Sequence, residues 1–271
     1  MLVKDTEWTF FYADLKRLSG IDFSQYKQDQ LQRRIKGTIE LWHLSNLGEL
    51  STRLGNHPAD LRKFLDKMAI NVSEMYRNPE KWHELQLTVL PELLHANRRL
   101  KCWSAGCSYG AEAYTLAMIL AESFSGTHQI LGTDIDESAL AQAREGALSP
   151  KDVRSVPEEL RSKYLVQTGD SWRVTEKIRK TCSFEKGNIL ADKFQGGFDL
   201  IMCRNVVIYF NDAAKNELYE KFFHALRPGG VLFVGGTERV FTARQLGFES
   251  PLPFFYRKPT EGQTNKWRIA S

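Results

Sequence analysis

Residues 100–120 read LKCWSAGCSYGAEAYTLAMIL, an apolar run that breaks at Gly106, passes through small residues and restarts after Gly110 with helical periodicity. That is a strand, a turn and a helix. In the second half Ala113, Leu116, Ala117, Leu120 and Ala121 share one helical face, so the helix packs against a sheet. Gly106 and Gly110 mark positions where a side chain would block either the tight turn or the approach of something to the backbone. A ligand is therefore expected above this turn.

The loop's chemistry narrows the ligand. There is no Gly-Lys-Ser/Thr for a triphosphate, and Gly106 to Gly110 lacks the G-x-G-x-x-G spacing of a dinucleotide site. Glu112 sits in the first helical turn, where a carboxylate suits the helix dipole and repels phosphate. A phosphate-free, partly cationic ligand fits better, and S-adenosylmethionine is the common one. On this stretch alone, an ordinary βα turn remains the structural alternative.

Downstream, strand and helix alternate. Residues 128–134 (HQILGTD) form a second strand ending in acid, followed by a helix over 138–145. Residues 183–188 (SFEKGN), 198–205 (FDLIMCRN), 231–235 (VLFVG) and 253–258 (PFFYRK) are further strands. A helix over 213–226, with Leu218, Phe222, Ala225 and Leu226 in register, ends at Pro228-Gly229-Gly230. The pattern predicts an α/β fold with a mostly parallel, doubly wound sheet and ligands at the C-terminal strand ends. Between 147 and 182 a proline-punctuated helical stretch precedes Tyr164-Leu165-Val166-Gln167 and Trp172-Arg173-Val174, which flank residues 168–171. This reads as an inserted β-hairpin, a lid or partner platform.

Residues 1–80 contain helical patterns and no convincing strand. Phe11, Leu15 and Leu18 form one stripe, Leu31, Ile35, Ile39 and Trp42 a second, and Leu61, Phe64, Leu65 and Met68 a third, punctuated by Ser19-Gly20, Gly48 and residues 55–58. The expected organisation is an all-helical domain over 1–80, an α/β domain over 81–260 carrying the insertion, and a polar tail over 261–271. The second helix carries Lys27, Arg33, Arg34 and Lys36 off its apolar stripe. They form either a solvated face or a docking surface for an acidic partner.

At 271 residues, 42% hydrophobic and 26% charged, the chain is long enough for one large core and a smaller domain. No apolar run approaches bilayer length and the N-terminus lacks a signal-peptide pattern, so a cytoplasmic protein without membrane insertion is expected. Cys102, Cys107, Cys182 and Cys203 show no paired ligand spacing, which argues against disulfides and a metal site. The net charge of +4 is too small to indicate nucleic-acid binding.

The candidate polar residues fall at strand ends on the ligand side. Glu112 follows the first strand, Asp134 ends the second, Asn188 the third, and Arg204 and Asn205 the fourth. Asp134 is placed to accept ribose hydroxyls, whereas N-capping explains Asp136. Asn188 would read the adenine edge. Arg204 interrupts an apolar run where no structural argument needs a charge, and a buried Arg requires partners. The junction at 70–79 supplies Asn71, Ser73 and Arg77, polar groups suited to a cleft wall. The strand-four end lacks the Asn/Asp-Pro-Pro-aromatic pattern of many enzymes that methylate amide or amino nitrogens, which leans the acceptor towards oxygen.

The set INVSEMYRNP, WSAGCSYGAEAYTLA, TDID, GNIL, CRNVVIYF and GVLFVGGTE, in this order over nearly the whole chain, resembles the CheR family of chemotaxis receptor methyltransferases. The resemblance implies a Rossmann-like, S-adenosylmethionine-dependent methyltransferase sheet with an N-terminal helical receptor-recognition domain and an inserted β-subdomain. It implies transfer of methyl to receptor glutamates as γ-methyl esters, in the cytoplasm at receptor arrays, with the basic helix meeting the receptor's helical region. Asn71, Ser73, Arg77, Ala105, Gly106, Glu112, Asp134, Asn188, Ile189, Arg204 and Asn205 would bind the cofactor or line its site, and Arg77 and Tyr209 would face the substrate carboxylate.

There are departures. Family members often continue Gly-Glu-Glu-Pro-Tyr where this chain has Gly110-Ala111-Glu112-Ala113-Tyr114, and Ser73 replaces a frequent Thr. The hairpin loop at 168–171 is shorter than in members that tether to a receptor pentapeptide, which implies a tether-independent enzyme. Two other readings stay open on sequence: a cofactor-binding regulatory module that transfers no methyl, and a nucleic-acid methyltransferase, which the strand-four sequence does not support.

Overall fold

The N-terminal apolar stripes form helices α1 (Asp5–Ser19), α2 (Gln28–Leu41), α3 (Leu47–Asn56) and α4 (Pro58–Met68) in a computed structural model that describes residues 5–68 and 73–260. Trp8, Phe11 and Leu15 of α1, Leu31 and Ile35 of α2, Leu50 and Leu54 of α3 and Phe64 of α4 are buried. Full burial of such side chains stabilises by roughly 1.5–3 kcal/mol each, which holds helices too short to persist alone. Helix α3 corrects the sequence reading, which took Gly48 as a break. Asn46 accepts from the Glu49 N–H while the Glu49 carboxylate accepts from the Ser45 N–H, in the manner of a capping box. That is enough to start a helix with glycine in its first turn.

The chain divides into two compact units, Met1–Ile70 with Ile208–Lys215, and Asn71–Val207 with Asn216–Ser271. The helical unit thus stops before the expected boundary at residue 80 and takes in a distant segment. There Tyr26 bridges to Phe210, the Lys27 N–H donates to the Tyr209 carbonyl and the Asn211 N–H to that of Gln25.

The second unit starts with α5 (Pro79–Glu84), a π-helical turn (Leu85–Val89) and α6 (Leu90–Ala96), and continues with β1 (Lys101–Ala105), α7 (Ala111–Ser123), β2 (Gln129–Asp134) and α8 (Glu137–Glu145). Then come β3 (Ala147–Leu148), α9 (Glu158–Tyr164), β4 (Leu165–Thr168), β5 (Ser171–Val174), α10 (Glu176–Arg179), β6 (Cys182–Lys186) and β7 (Phe198–Cys203). The last elements are α11 (Asp212–Ala225), whose first turn belongs to the helical unit, β8 (Leu226–Val234), α12 (Ala243–Leu246), β9 (Glu249–Leu252) and β10 (Phe255–Arg257).

Seven strands form one sheet in the order β6-β2-β1-β7-β8-β10-β9. β6, β2, β1, β7 and β8 run parallel; β10 is antiparallel to β8, and β9 to β10. From β1 the chain steps outward to β2 and β6, then returns to β7 on the other side of β1. This reversal makes the C-terminal ends of β1 and β7 the crevice where ligands enter doubly wound sheets. β7, buried along its whole length, reads as an unbroken apolar centre strand save for Asp199. That acid sits at the far end of the sheet, where Arg227 (2.6 Å) and the Lys101 N–H (2.7 Å) satisfy it.

Two expected boundaries shift and one strand goes unexpected, for physical reasons. β7 stops at Cys203 because Asn205 adopts a left-handed φ of +60°, which no strand accommodates. β8 begins at Leu226, before Pro228-Gly229-Gly230, because an irregular register pairs Phe198 with Leu226 and then Leu200 with Val231. The edge strand β9, short and proline-containing, escaped the periodicity. The hairpin appears as β4 and β5, closed by Gly169 and Asp170, and β3 completes a separate antiparallel sheet ordered β3-β5-β4. Among the described residues no helix is long and apolar enough to cross a membrane. Burial pushes the thiol of Cys182 up to about 12 and those of Cys102, Cys107 and Cys203 well above the usual range.

Candidate cofactor site

The turn after β1 is tied to the end of β2 by backbone and carboxylate. The N–H groups of Gly106 and Cys107 both donate to the Thr133 carbonyl (2.8 and 2.9 Å). The Ser108 N–H donates to Asp134 Oδ2 (2.7 Å) and the Asp136 N–H to Oδ1 (3.0 Å). Each carboxylate oxygen of Asp134 thus holds at least one N–H, and burial raises its pKa. Asp136 caps α8, accepting from the Ser138 and Ala139 N–H groups, as the sequence indicated.

The glycines answer to the protein's own packing. A Cβ on Gly106, whose φ is +78°, would lie 2.7 Å from Val206 Cγ2, and one on Gly110, at φ +84°, 2.9 Å from Phe184 Cζ. What approaches the backbone at these two positions is the loop after β7 and a β6 side chain.

Arg204 follows β7 with its side chain only 2% exposed. Its guanidinium stacks against Phe233 and Trp82, 4.6 and 5.2 Å from the ring centres. Nη1 lies 3.4 Å from Glu112 Oε2, and Nη2 donates to the Arg77 carbonyl (2.9 Å) and reaches Asn78 Oδ1 (3.4 Å). The Trp82 indole N–H donates to the same carbonyl (3.1 Å). Glu112, in the first turn of α7, also accepts from the Ser104 hydroxyl (2.9 Å). Burial lowers the Arg204 pKa and raises that of Glu112, each partly offset by the other's charge.

The loop preceding α5 is anchored elsewhere too. The Tyr76 N–H donates to Thr115 Oγ1 (3.1 Å), the Met75 N–H to the Asp152 carbonyl (2.9 Å), and the Tyr109 hydroxyl contacts the Ser73 carbonyl. Tyr76 and Asn78, on either side of Arg77, have φ of +56° and +60°. Among the described residues six non-glycine residues have positive φ, and four of them (Tyr76, Asn78, Ser108 and Asn205) belong to these turns. Such strain concentrates where surrounding structure over-determines a site.

Ala105 ends β1, fully buried. Asn188 lies beyond β6, where the Gly187 N–H donates to the Asp134 carbonyl (2.9 Å). The Asn188 side-chain oxygen accepts from the Leu190 N–H (3.0 Å) and its N–H donates to Asp192 (2.7 Å), so that oxygen serves the turn. Asn188 and the buried Ile189 line a cavity of about 130 Å³ together with Leu131, Thr133 and Phe194.

Ser73, Arg77, Ala105, Gly106, Glu112, Asp134, Asn188, Ile189, Arg204 and Asn205 therefore all fall in the second unit, on turns joined by these bonds. Asn71 lies outside the described residues. Tyr209 belongs to the helical unit, where it lies close enough to Arg34 for the two side chains to interact electrostatically. Arg34 is half-buried and donates to the Lys67 carbonyl of α4 (2.9 Å), so of the four basic residues expected on the outer face it is the exception. Lys27, Arg33 and Lys36 are exposed.

Sequence reasoning missed Glu238. This acid is 3% exposed, and its Oε2 accepts from the N–H groups of Asn205 (2.9 Å) and Gly235 (2.6 Å). The available signal was the acid closing GVLFVGGTE, directly after the central strand β8.

Residues 71–250 match the family described as CheR methyltransferase, SAM binding domain, and residues 6–69 the CheR methyltransferase, all-alpha domain. The chain belongs to the CheR methyltransferase family. It is 37% identical over 256 residues to the chemotaxis protein methyltransferase of Listeria monocytogenes, covering 94% of this chain and 98% of the relative. It is 32% identical over 254 residues to that of Borreliella burgdorferi (88% and 89% covered) and 32% over 253 residues to chemotaxis protein methyltransferase 1 of Pseudomonas aeruginosa (88% and 92%). This CheR chain is an S-adenosylmethionine-dependent methyltransferase.

The donor set fits that cofactor. Two half-buried carboxylates, Glu112 and Asp134, share a region with one buried guanidinium, Arg204, whose Nε has no acceptor among the described residues. An anionic pocket of this kind suits a ligand carrying a sulfonium and an ammonium and disfavours a phosphate. A consequence concerns pH. Because burial holds the Glu112 carboxyl above the usual glutamate range, it takes up its proton earlier than an exposed glutamate as pH falls. The protonated form has lost its attraction for a cation. Calorimetry is expected to show S-adenosylmethionine affinity level near neutrality and weakening towards acid, with proton release on binding within that range, and Glu112→Gln is expected to flatten the profile.

Proposed function

We propose that this CheR enzyme methylates glutamate side chains of chemotaxis receptors, forming γ-methyl esters, in the cytoplasm at receptor arrays. The observation that carries the reading is Arg77. Its backbone is clamped by Arg204 and Trp82 between two left-handed residues, which fixes the point from which its cationic side chain would reach an anionic acceptor. An ionised glutamate, with an ordinary pKa of about 4.3, needs no general base at neutral pH. The names of the relatives, chemotaxis protein methyltransferases, support the receptor as substrate.

When bound, S-adenosylmethionine supplies an electrophilic methyl on a sulfonium. Asp134 would hold the ribose hydroxyls, Asn188 and Ile189 the adenine, and Glu112, with Asn71, Ser73, Ala105, Gly106, Arg204 and Asn205, the rest of the cofactor. Transfer to a carboxylate cancels two opposite charges, so fixed charges gain little in the transition state. Alignment and exclusion of water must then supply the rate. Arg77 would orient the carboxylate, and Tyr209 would hold its second oxygen or the methyl's line of approach.

The test is to incubate the enzyme with methyl-labelled cofactor and a receptor cytoplasmic fragment, then add alkali. Volatile labelled methanol is the expected product of an ester; alkali-stable label would reject glutamate as acceptor.

The exposed Arg33 and Lys36 are proposed to meet the acidic helical surface of the receptor. Arg33→Glu with Lys36→Glu is expected to raise the receptor KM roughly five- to tenfold at low salt, with a smaller effect at high salt as screening shortens the interaction. Unchanged KM would remove this surface from consideration. The tight hairpin turn at Gly169 and Asp170 supports the tether-independent class, so titration with a receptor C-terminal pentapeptide is expected to give no micromolar binding.

A further inference from the structure

We infer that Glu238 is a positioning residue of the cofactor site, acting through the backbone of Asn205; this rests on the cofactor reading above. Glu238 lies beyond β8, 33 residues along the chain from Asn205. Its buried carboxylate nevertheless reaches across to the end of β7 and accepts the Asn205 N–H (2.9 Å), while the same oxygen accepts the Gly235 N–H (2.6 Å). Its own N–H donates to the Gly235 carbonyl (2.9 Å), which closes a tight turn and fixes the carboxylate's direction.

The bond falls where the chain most needs one. Asn205 has a φ of +60°, a conformation that costs a non-glycine residue energy unless neighbours enforce it. Its N–H, turned out of the ladder at the strand end, would be left without an acceptor in a half-buried position if Glu238 were absent. Gly235 makes the approach possible. A Cβ there would lie 2.6 Å from Glu238 Oε2 and 2.9 Å from Asn205 N, too close for either to stay. Carboxylate, glycine and left-handed asparagine form one device that sets the course of the chain from Arg204 through Asn205 to Val206, whose side chain in turn packs over Gly106. The wall of the site at β7 and the turn after β1 are thereby held in register.

The test compares Glu238→Ala, Glu238→Gln and Gly235→Ala by calorimetric titration with S-adenosylmethionine and with S-adenosylhomocysteine, alongside thermal unfolding and receptor KM. Glu238→Ala and Gly235→Ala are expected to weaken both ligands about tenfold or more, together, as loss of a buried acceptor does. Glu238→Gln, which keeps an acceptor oxygen, is expected to recover binding to within about threefold of the natural protein, with receptor KM unchanged in every variant that binds cofactor. Glutamine as damaging as alanine would overturn the inference, as would loss confined to the sulfonium ligand, since either makes the charge the operative property. Unchanged affinity in Glu238→Ala with lowered melting temperature would overturn it by making the residue merely structural. Failure of the natural protein to bind either ligand would instead reject the cofactor reading itself.

Discussion

Arg204→Ala is expected to lose about 3 kcal/mol of stability and at least 10²-fold in turnover. The first figure follows from burial: the guanidinium is 2% exposed and pairs with Glu112 at 3.4 Å, and removing one partner of a buried pair costs on the order of 3–5 kcal/mol because the other charge is stranded. Glu112 softens this by accepting a proton, since burial already raises its pKa, which places the expectation at the lower end. The second figure follows from what Arg204 holds. Nη2 anchors the Arg77 carbonyl, so without it the loop between Tyr76 and Asn78 relaxes from its left-handed turns, and a misplacement of about an ångström costs roughly 10²-fold in a reaction that depends on alignment. Arg204→Lys separates the two effects. A lysine keeps one charge near Glu112 but cannot reach the carbonyl at the same time or stack flat on Trp82 and Phe233. Urea unfolding and single-turnover rates are expected to show stability mostly restored and turnover still depressed. Full turnover in Arg204→Lys would reject the anchoring role.

How much of this was legible in the chain depends on the distance over which each signal acts. The β1 turn, the acid ending β2 and the Asp136 cap are encoded within a few residues of each other, and the structure bears them out. Signals that act across the sheet were not. Nothing near Gly106 indicates Val206, nothing near Gly110 indicates Phe184, and one partner of Arg204 is a backbone carbonyl 127 residues away. Glu238 follows two glycines and a threonine, a setting that reads as solvated loop, and becomes a buried acceptor only because β7 and β8 are neighbours in the sheet. Helix α3 is the instructive local miss. Asn46 and Glu49 announce a cap, but Gly48 between them masked it. In the same way periodicity puts the charges of α2 on one face, while Arg34 turns inward to the Lys67 carbonyl of α4, a contact 33 residues away that the periodicity of either helix does not report.

Arg77→Ala is expected to differ from Arg204→Ala in where the loss falls: turnover lower by on the order of 10²-fold or more, with cofactor affinity changed by only about threefold. The separation follows from where the loop is held. Arg204 and Trp82 grip the Arg77 carbonyl, and Thr115 receives the Tyr76 N–H; these bonds are made by backbone atoms and remain available when the Arg77 side chain is truncated. The guanidinium does press on its neighbour, because its charge helps to lower the Arg204 pKa. Removing a like charge beside a buried one relieves that repulsion. What disappears is the cation that would fix the acceptor carboxylate. Arg77→Lys restores a point charge without the planar fork that grips two carboxylate oxygens, so partial recovery of turnover, between alanine and arginine, is expected in single-turnover assays with saturating cofactor and receptor fragment. Turnover in Arg77→Ala equal to that of the natural enzyme would show that the acceptor is oriented by some other group. A fall in turnover matched by an equal fall in cofactor affinity would move Arg77 from the acceptor to the cofactor.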